Sequence, residues 1–182
     1  AIASAIYEQY PHPITLNCSA SASTVRPFAL PTESKNVSSS SVLTRADEIS
    51  KALMHSVLWS WNKNPKDWYM SEKYDGIRAV FFNGRLYSKY GTEIPCPQDF
   101  ITKINSALQT VQAPPWVALD GELWLGRGSY PEMLSLKTSS ADMWNKVKFC
   151  VFDFLPCSQL ASELTFAERL QILQDEFKKM NS

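Results

Sequence analysis

The sequence predicts an α+β fold organised around an antiparallel sheet, and three features of its 182 residues carry that expectation. From Trp68 onward the apolar residues fall into strand-length runs bounded by turn residues. Two of those runs, Ile77 to Phe82 and Arg85 to Tyr90, are joined by Asn83-Gly84, the strongest short-range hairpin signal. Helical spacing then interrupts the strands at uneven intervals, which suits hairpin connections better than a regular strand-helix alternation.

Element by element, residues 1–42 lack periodicity, carry Pro11, Pro13, Pro27 and Pro31, and end in a run of four serines. Such a stretch buries too little apolar surface to offset the entropy of ordering, so it reads as a disordered tail. The ordered domain is expected over 43–182. It opens with a capping-box-like Thr44-Arg45-Ala46-Asp47 and a helix carrying Ile49, Leu53 and Val57. After the hairpin, a helix is expected from Gln98 to Leu108, stopped by Pro114-Pro115. Trp116 to Leu125 and Val147 to Leu155 read as largely buried strands. Thr165 and Glu168 form a second capping box, opening a helix with Phe166, Leu170, Leu173 and Phe177 on one face. No internal repeat is present.

Composition sets broad bounds. An apolar content of 45% with 12% aromatics belongs to a globular chain. Eighteen basic residues balance eighteen acidic ones, so net charge gives no sign of a nucleic-acid partner, although a local basic patch can coexist with neutrality. The four cysteines, at 18, 96, 150 and 157, form no CxxC pair, which argues against a zinc site and a disulfide framework and for intracellular thiols. No apolar run approaches the roughly 20 residues of a membrane-spanning helix. The first residue is Ala1, so a fragment or a processed product is expected.

The chemistry-bearing segment is Ser71-Glu72-Lys73-Tyr74-Asp75-Gly76-Ile77-Arg78, which contains the pattern KxDGxR. Taken alone it is equally a charged strand-turn with a solvated lysine. Counting back through a two-residue hairpin pairs Phe82 with Arg85 and, further on, Arg78 with Lys89. Like charges so opposed are unfavourable unless they splay into water or share an anion, so the pair is a candidate phosphate clamp. A lysine nucleophile must attack as the neutral amine, which calls for nearby cations and partial burial. Further along, Leu119-Asp120-Gly121-Glu122-Leu123-Trp124 places Asp120 and Glu122 on one face of a strand, with Gly121 leaving room on the other for close backbone or ligand approach. Val151-Phe152-Asp153-Phe154 reads as core, with Phe152 or Phe154 available as a stacking surface for a purine.

In order and spacing, KYDGIR, Ser88-Lys89-Tyr90-Gly91, LDGELW and VFDF resemble motifs I, Ia, III and IIIa of the ATP-dependent DNA ligases, especially the compact ones without a separate amino-terminal DNA-binding domain. Gly126-Arg127-Gly128, Trp144 and Phe166-Ala167-Glu168-Arg169-Leu170 extend the resemblance, which runs from about Leu53 to Leu173. It implies an ATP-grasp-like nucleotidyltransferase domain with ATP and Mg²⁺ as cofactors and nicked double-stranded DNA as partner, acting as an intracellular monomer in repair, replication or recombination. By the same resemblance Lys73 forms the phosphoramide to AMP and Asp75 orients it. Arg78 and Lys89 contact ribose and phosphate, and Phe152 stacks on adenine. Glu122 contacts the ribose or the metal's water shell, Ser71 and Glu72 lie at the adenine edge, and Gly76 completes the motif.

Two departures qualify the resemblance. Position 89 is Lys where the family usually has Arg, which replaces a forked contact by a point charge. Nothing after Asp153 resembles motif IV or V or the oligonucleotide-binding-fold domain, so the adenylylation domain is expected to be incomplete at its C-terminus and weak in nick sealing on its own. The alternatives are an mRNA-capping guanylyltransferase, which uses GTP, and a catalytically inactive nucleotide- or DNA-binding remnant. Arg78 argues against the NAD-dependent ligases, which usually carry KxDGxA.

Overall fold

The computed structural model describes residues 51–56, 58, 60–62, 64, 68–69, 71–111, 113, 117–156 and 164–178, with the backbone of Ile14 and Thr15. The strands are β1 (Ile14–Thr15), β2 (Ile77–Phe82), β3 (Arg85–Ser88), β4 (Val117–Trp124) and β5 (Lys148–Pro156). The helices are α1 (Gln98–Thr110), α2 (Tyr130–Leu134), α3 (Ala141–Trp144) and α4 (Phe166–Lys178), with a 3₁₀ turn at Leu136–Thr138. The strands form one antiparallel sheet in the order β1-β5-β4-β2-β3. The expected α+β class is the observed one.

The hairpin forms for the reason its sequence suggests. Asn83 and Gly84 take φ of 49° and 72°, the paired left-handed conformations of a type I′ turn, which Asn and Gly tolerate best. That turn sets the pairing Phe82↔Arg85 through Ala79↔Ser88. Alternation along β2 then sends Ala79 and Phe81 to one face and Val80 and Phe82 to the other. On the first face lies the main core, where Leu119, Leu123, Phe149 and Phe154 of the sheet pack against Phe100, Ile101 and Ile104 of α1. The second face carries a smaller cluster of Leu53, Val80, Phe82, Ala118 and Leu155.

Helix α4 opens with the expected capping box. The Thr165 N–H donates to Glu168 Oε2 at 2.7 Å and the Glu168 N–H donates to Thr165 Oγ1 at 3.3 Å. Leu170 and Leu173 are buried, as their spacing requires. α2 and α3 were not anticipated. Each is a turn or so long, too short to establish periodicity, but they bring Met133 and Trp144 into the core.

Two expectations are revised, and a third falls mostly outside the described residues. Within the stretch read as a disordered tail, Ile14 and Thr15 pair with Val151 and Cys150 as an edge strand, so at least these two residues belong to the sheet; the rest of 1–42 lies outside the described residues. The second hairpin strand stops at Ser88 instead of Tyr90, because the Ser88 N–H donates to the Thr92 carbonyl and the Gly91 N–H to the Ser88 carbonyl, turning the chain back on itself. The start of the helix expected near Thr44 lies outside the described residues, although Lys51 and Ala52 are helical and Leu53 is buried.

Gly121 lies tight against the neighbouring strand β5. A Cβ at this position would stand 2.6 Å from the Cys150 carbonyl oxygen and 2.8 Å from Cε2 of Phe149. The room it leaves is therefore taken by the neighbouring strand, not by a ligand. Gly121→Ala is expected to destabilise the fold by roughly 1–3 kcal/mol, the usual cost of overpacking, read as a lower urea midpoint with an unchanged slope.

Candidate functional site

The second face of the sheet turns polar towards one end. β2 and β4 pair Arg78 with Glu122 and Val80 with Asp120, so Arg78, Asp120 and Glu122 share this face. Arg78 reaches diagonally to Asp120 with a planar fork: Nε donates to Oδ1 at 3.0 Å and Nη2 to Oδ2 at 2.6 Å. The Asp120 side chain is almost wholly buried and that of Arg78 is 20% exposed. Burial works against the Arg78 charge, but its hydrogen bonds to Asp120 and the charges of Asp120, Glu122 and Asp153 outweigh it and leave the guanidinium more firmly protonated than usual.

The Lys73–Gly76 loop is fastened to β4 beside this pair. A Cβ on Gly76 would overlap the Leu123 carbonyl oxygen, so only glycine lets the loop lie against the strand. From there the Gly76 N–H donates to the Glu122 carboxylate. Burial pushes the Glu122 carboxyl up to about 7, opposed by that hydrogen bond and by the positive charges of Lys73 and Arg78, with Asp120 adding a smaller upward push. Around the loop, the Tyr74 ring packs edge-on against Trp124 at 4.9 Å between centroids, and Glu72 pairs with Arg127 Nη2 at 2.7 Å.

Phe152 is held differently. β4 and β5 pair Asp120 with Asp153 but Gly121 with Val151, which leaves Phe152 as the extra residue of a β-bulge. Bulges re-aim side chains and interrupt the ladder. The Arg78 guanidinium lies over the Phe152 ring, 5.5 Å from its centroid. Asp153, fully buried, accepts from Arg169 Nε at 2.8 Å and Nη2 at 2.9 Å, and from the Phe154 N–H at 2.9 Å.

The chain matches no family model. Over 99 residues, 53% of its length, it is 33% identical to a DNA ligase of Haemophilus influenzae (strain ATCC 51907 / DSM 11121 / KW20 / Rd). The resemblance is to a DNA ligase domain. The chain spans about a third of that ligase, as the match covers 33% of its length. A solved structure from a study of DNA binding with a minimal scaffold by Lig E DNA ligases is 29% identical, covering 60% of this chain and 38% of its own, with a TM-score of 0.44.

Against this ligase resemblance, the sheet brings Arg78, Glu122, Gly76 and Phe152 together, with Lys73 near enough for its charge to act on Glu122. Ser71, Lys73 and Asp75 are exposed and Glu72 is half-buried, so the partial burial expected around Lys73 is not found. The expected opposition of Arg78 and Lys89 is also corrected. The ladder ends at Ala79↔Ser88, Arg78 is neutralised by Asp120, and Lys89 sits in the following turn with Nζ 5.0 Å from the Tyr90 ring centroid. Among the described residues no group of three or more His, Cys, Asp or Glu could hold a metal ion. Arg169, whose fork holds the buried Asp153, was not singled out from the sequence. Its signal, an arginine one position after the capping-box glutamate, becomes informative only once Asp153 is known to be buried.

Burial of the Glu122 carboxyl makes stability depend on pH. An unfolded carboxyl ionises near 4.5 and the folded one near 7, so the stability it contributes is complete below about pH 4.5 and lost as pH rises through about 7. Glu122→Gln is therefore expected to melt higher than the native chain at pH 8, with the difference shrinking towards pH 4; thermal denaturation across that range checks it.

Proposed function

We propose that this chain is part of an ATP-dependent DNA ligase that seals nicks through a lysyl-adenylate on Lys73. One observation carries the reading: an exposed lysine heads a glycine-locked loop whose Gly76 N–H and Lys73 charge both act on Glu122, beside a forked Arg78–Asp120 pair and the Phe152 ring. The similarity to a curated DNA ligase supports it. The sheet that frames these groups acts, on this reading, as an ATP-grasp-like nucleotidyltransferase scaffold.

The neutral Lys73 amine attacks the α-phosphorus of ATP. A nitrogen–phosphorus bond forms, the bond to the β-phosphate oxygen breaks, and pyrophosphate leaves. An oxygen of a DNA 5′-phosphate next attacks the same phosphorus and takes AMP from the lysine. The 3′-hydroxyl across the nick then displaces AMP and closes the phosphodiester.

Phe152 stacks on adenine, and Ser71 and the Glu72 backbone meet the base edge. Arg78 already commits Nε and Nη2 to Asp120, so its Nη1 donors are those assigned to ribose and phosphate. Lys89 supplies a second, unforked cation, Glu122 meets the ribose or the water of a magnesium ion, and Asp75 orients Lys73. When bound, Mg²⁺ offsets charge on the phosphates.

Incubation of the full-length protein with ATP and Mg²⁺, followed by intact mass measurement, is expected to show the mass of one added AMP, lost in Lys73→Ala. An adduct persisting in that variant moves the nucleophile elsewhere. Preference for GTP selects the capping chemistry, and adenylation by NAD with none by ATP replaces the cofactor.

A further inference from the structure

We propose that Arg169, on helix α4, is a positioning residue for nucleotide: it locks Asp153 and thereby fixes the bulge that aims Phe152. The inference rests on the reading of Phe152 as the adenine platform. The bulge removes Phe152 from the cross-strand register, so ladder hydrogen bonds alone do not set its direction. The restraint comes from the next residue. Asp153 receives both arms of the Arg169 fork and the Phe154 N–H while fully buried. Arg169 is in turn anchored where α4 begins, donating from Nη1 to the Leu164 carbonyl at 2.8 Å, one residue before the Thr165–Glu168 capping box.

The charges are coupled as well. Asp120 and Asp153 face each other across β4 and β5, and each is neutralised by its own arginine. Without Arg169, Asp153 would be a buried carboxylate whose nearby cation is Arg78, and Arg78 would be drawn from Asp120 and from its place over the Phe152 ring. A lysine cannot replace the fork, since it offers a point charge where two parallel hydrogen bonds are made.

The test uses the full-length enzyme and separates binding from chemistry. Arg169→Lys is expected to weaken ATP affinity by calorimetry several-fold while leaving the adenylation rate at saturating ATP near the native value. Phe152→Leu should weaken affinity by about tenfold, the order set by losing a base–aromatic stack. The double variant should be no worse than Phe152→Leu alone, because both changes act through one ring. Native affinity in a folded Arg169→Lys enzyme overturns the proposal, as do fully additive losses in the double variant. If Arg169→Lys does not fold, the charge-balanced pair Asp153→Asn/Arg169→Gln takes its place, and native affinity there overturns the proposal equally. Unaltered affinity in Phe152→Leu overturns the stacking reading and this proposal with it, whereas a loss confined to Phe152→Leu overturns this proposal alone.

Discussion

Two buried aspartates opposed across β4 and β5 are the constraint around which the rest of the sheet is arranged. Asp120 and Asp153 occupy paired positions in the register and both are fully buried. Like charges so placed repel, and burying even one carboxylate is costly unless it is paired. The chain meets this with two forked arginines from different elements, Arg78 of β2 and Arg169 of α4. Because stripping one member from a buried pair typically costs about 3–5 kcal/mol, the placement of β2 beside β4 and of α4 against β5 is bound to this charge balance. The polar face thus stays folded without an apolar core beneath every residue.

The Lys73–Gly76 loop inherits its position from the same arrangement. It meets β4 through a close backbone approach at Gly76 and a hydrogen bond to Glu122, the cross-strand neighbour of Arg78. Its flanks are held by the Tyr74–Trp124 ring contact and the Glu72–Arg127 pair. These ties differ in strength. The Arg127 side chain is mostly exposed, and an ion pair in water contributes little, whereas the approach at Gly76 is set by the backbone itself.

What was legible in the sequence was whatever local chemistry decides. Asn83-Gly84 fixed a hairpin register from two residues, Thr165 and Glu168 announced α4, and alternation put Asp120 and Glu122 on one face. What was not legible depended on partners far along the chain. Nothing in Val151-Phe152-Asp153-Phe154 signals a bulge, since the extra residue shows only against the register of β4. The end of the ladder at Ser88 followed from backbone bonds to Gly91 and Thr92 that a strand pattern does not encode. Gly121 was read as room for either a backbone or a ligand because a glycine's empty side says nothing about which atom fills it; here it is Phe149 and the Cys150 carbonyl.

The two-residue strand β1 has a consequence for how molecules of this protein meet one another. Without it β5 would form a border of the sheet, and its sequence, Phe149-Cys150-Val151-Phe152 included, is rich in the aromatic and β-branched residues that recruit further strands. Ile14 and Thr15 occupy that border at Val151 and Cys150. At the opposite border β3 is only four residues long, bridged from Tyr87 to Glu93 and flanked by the Arg85–Glu93 ion pair, a short and charged margin of the kind that discourages sheet growth. The far-upstream pairing therefore takes up the middle of that border, at Cys150 and Val151, where the strand of a second copy would otherwise dock.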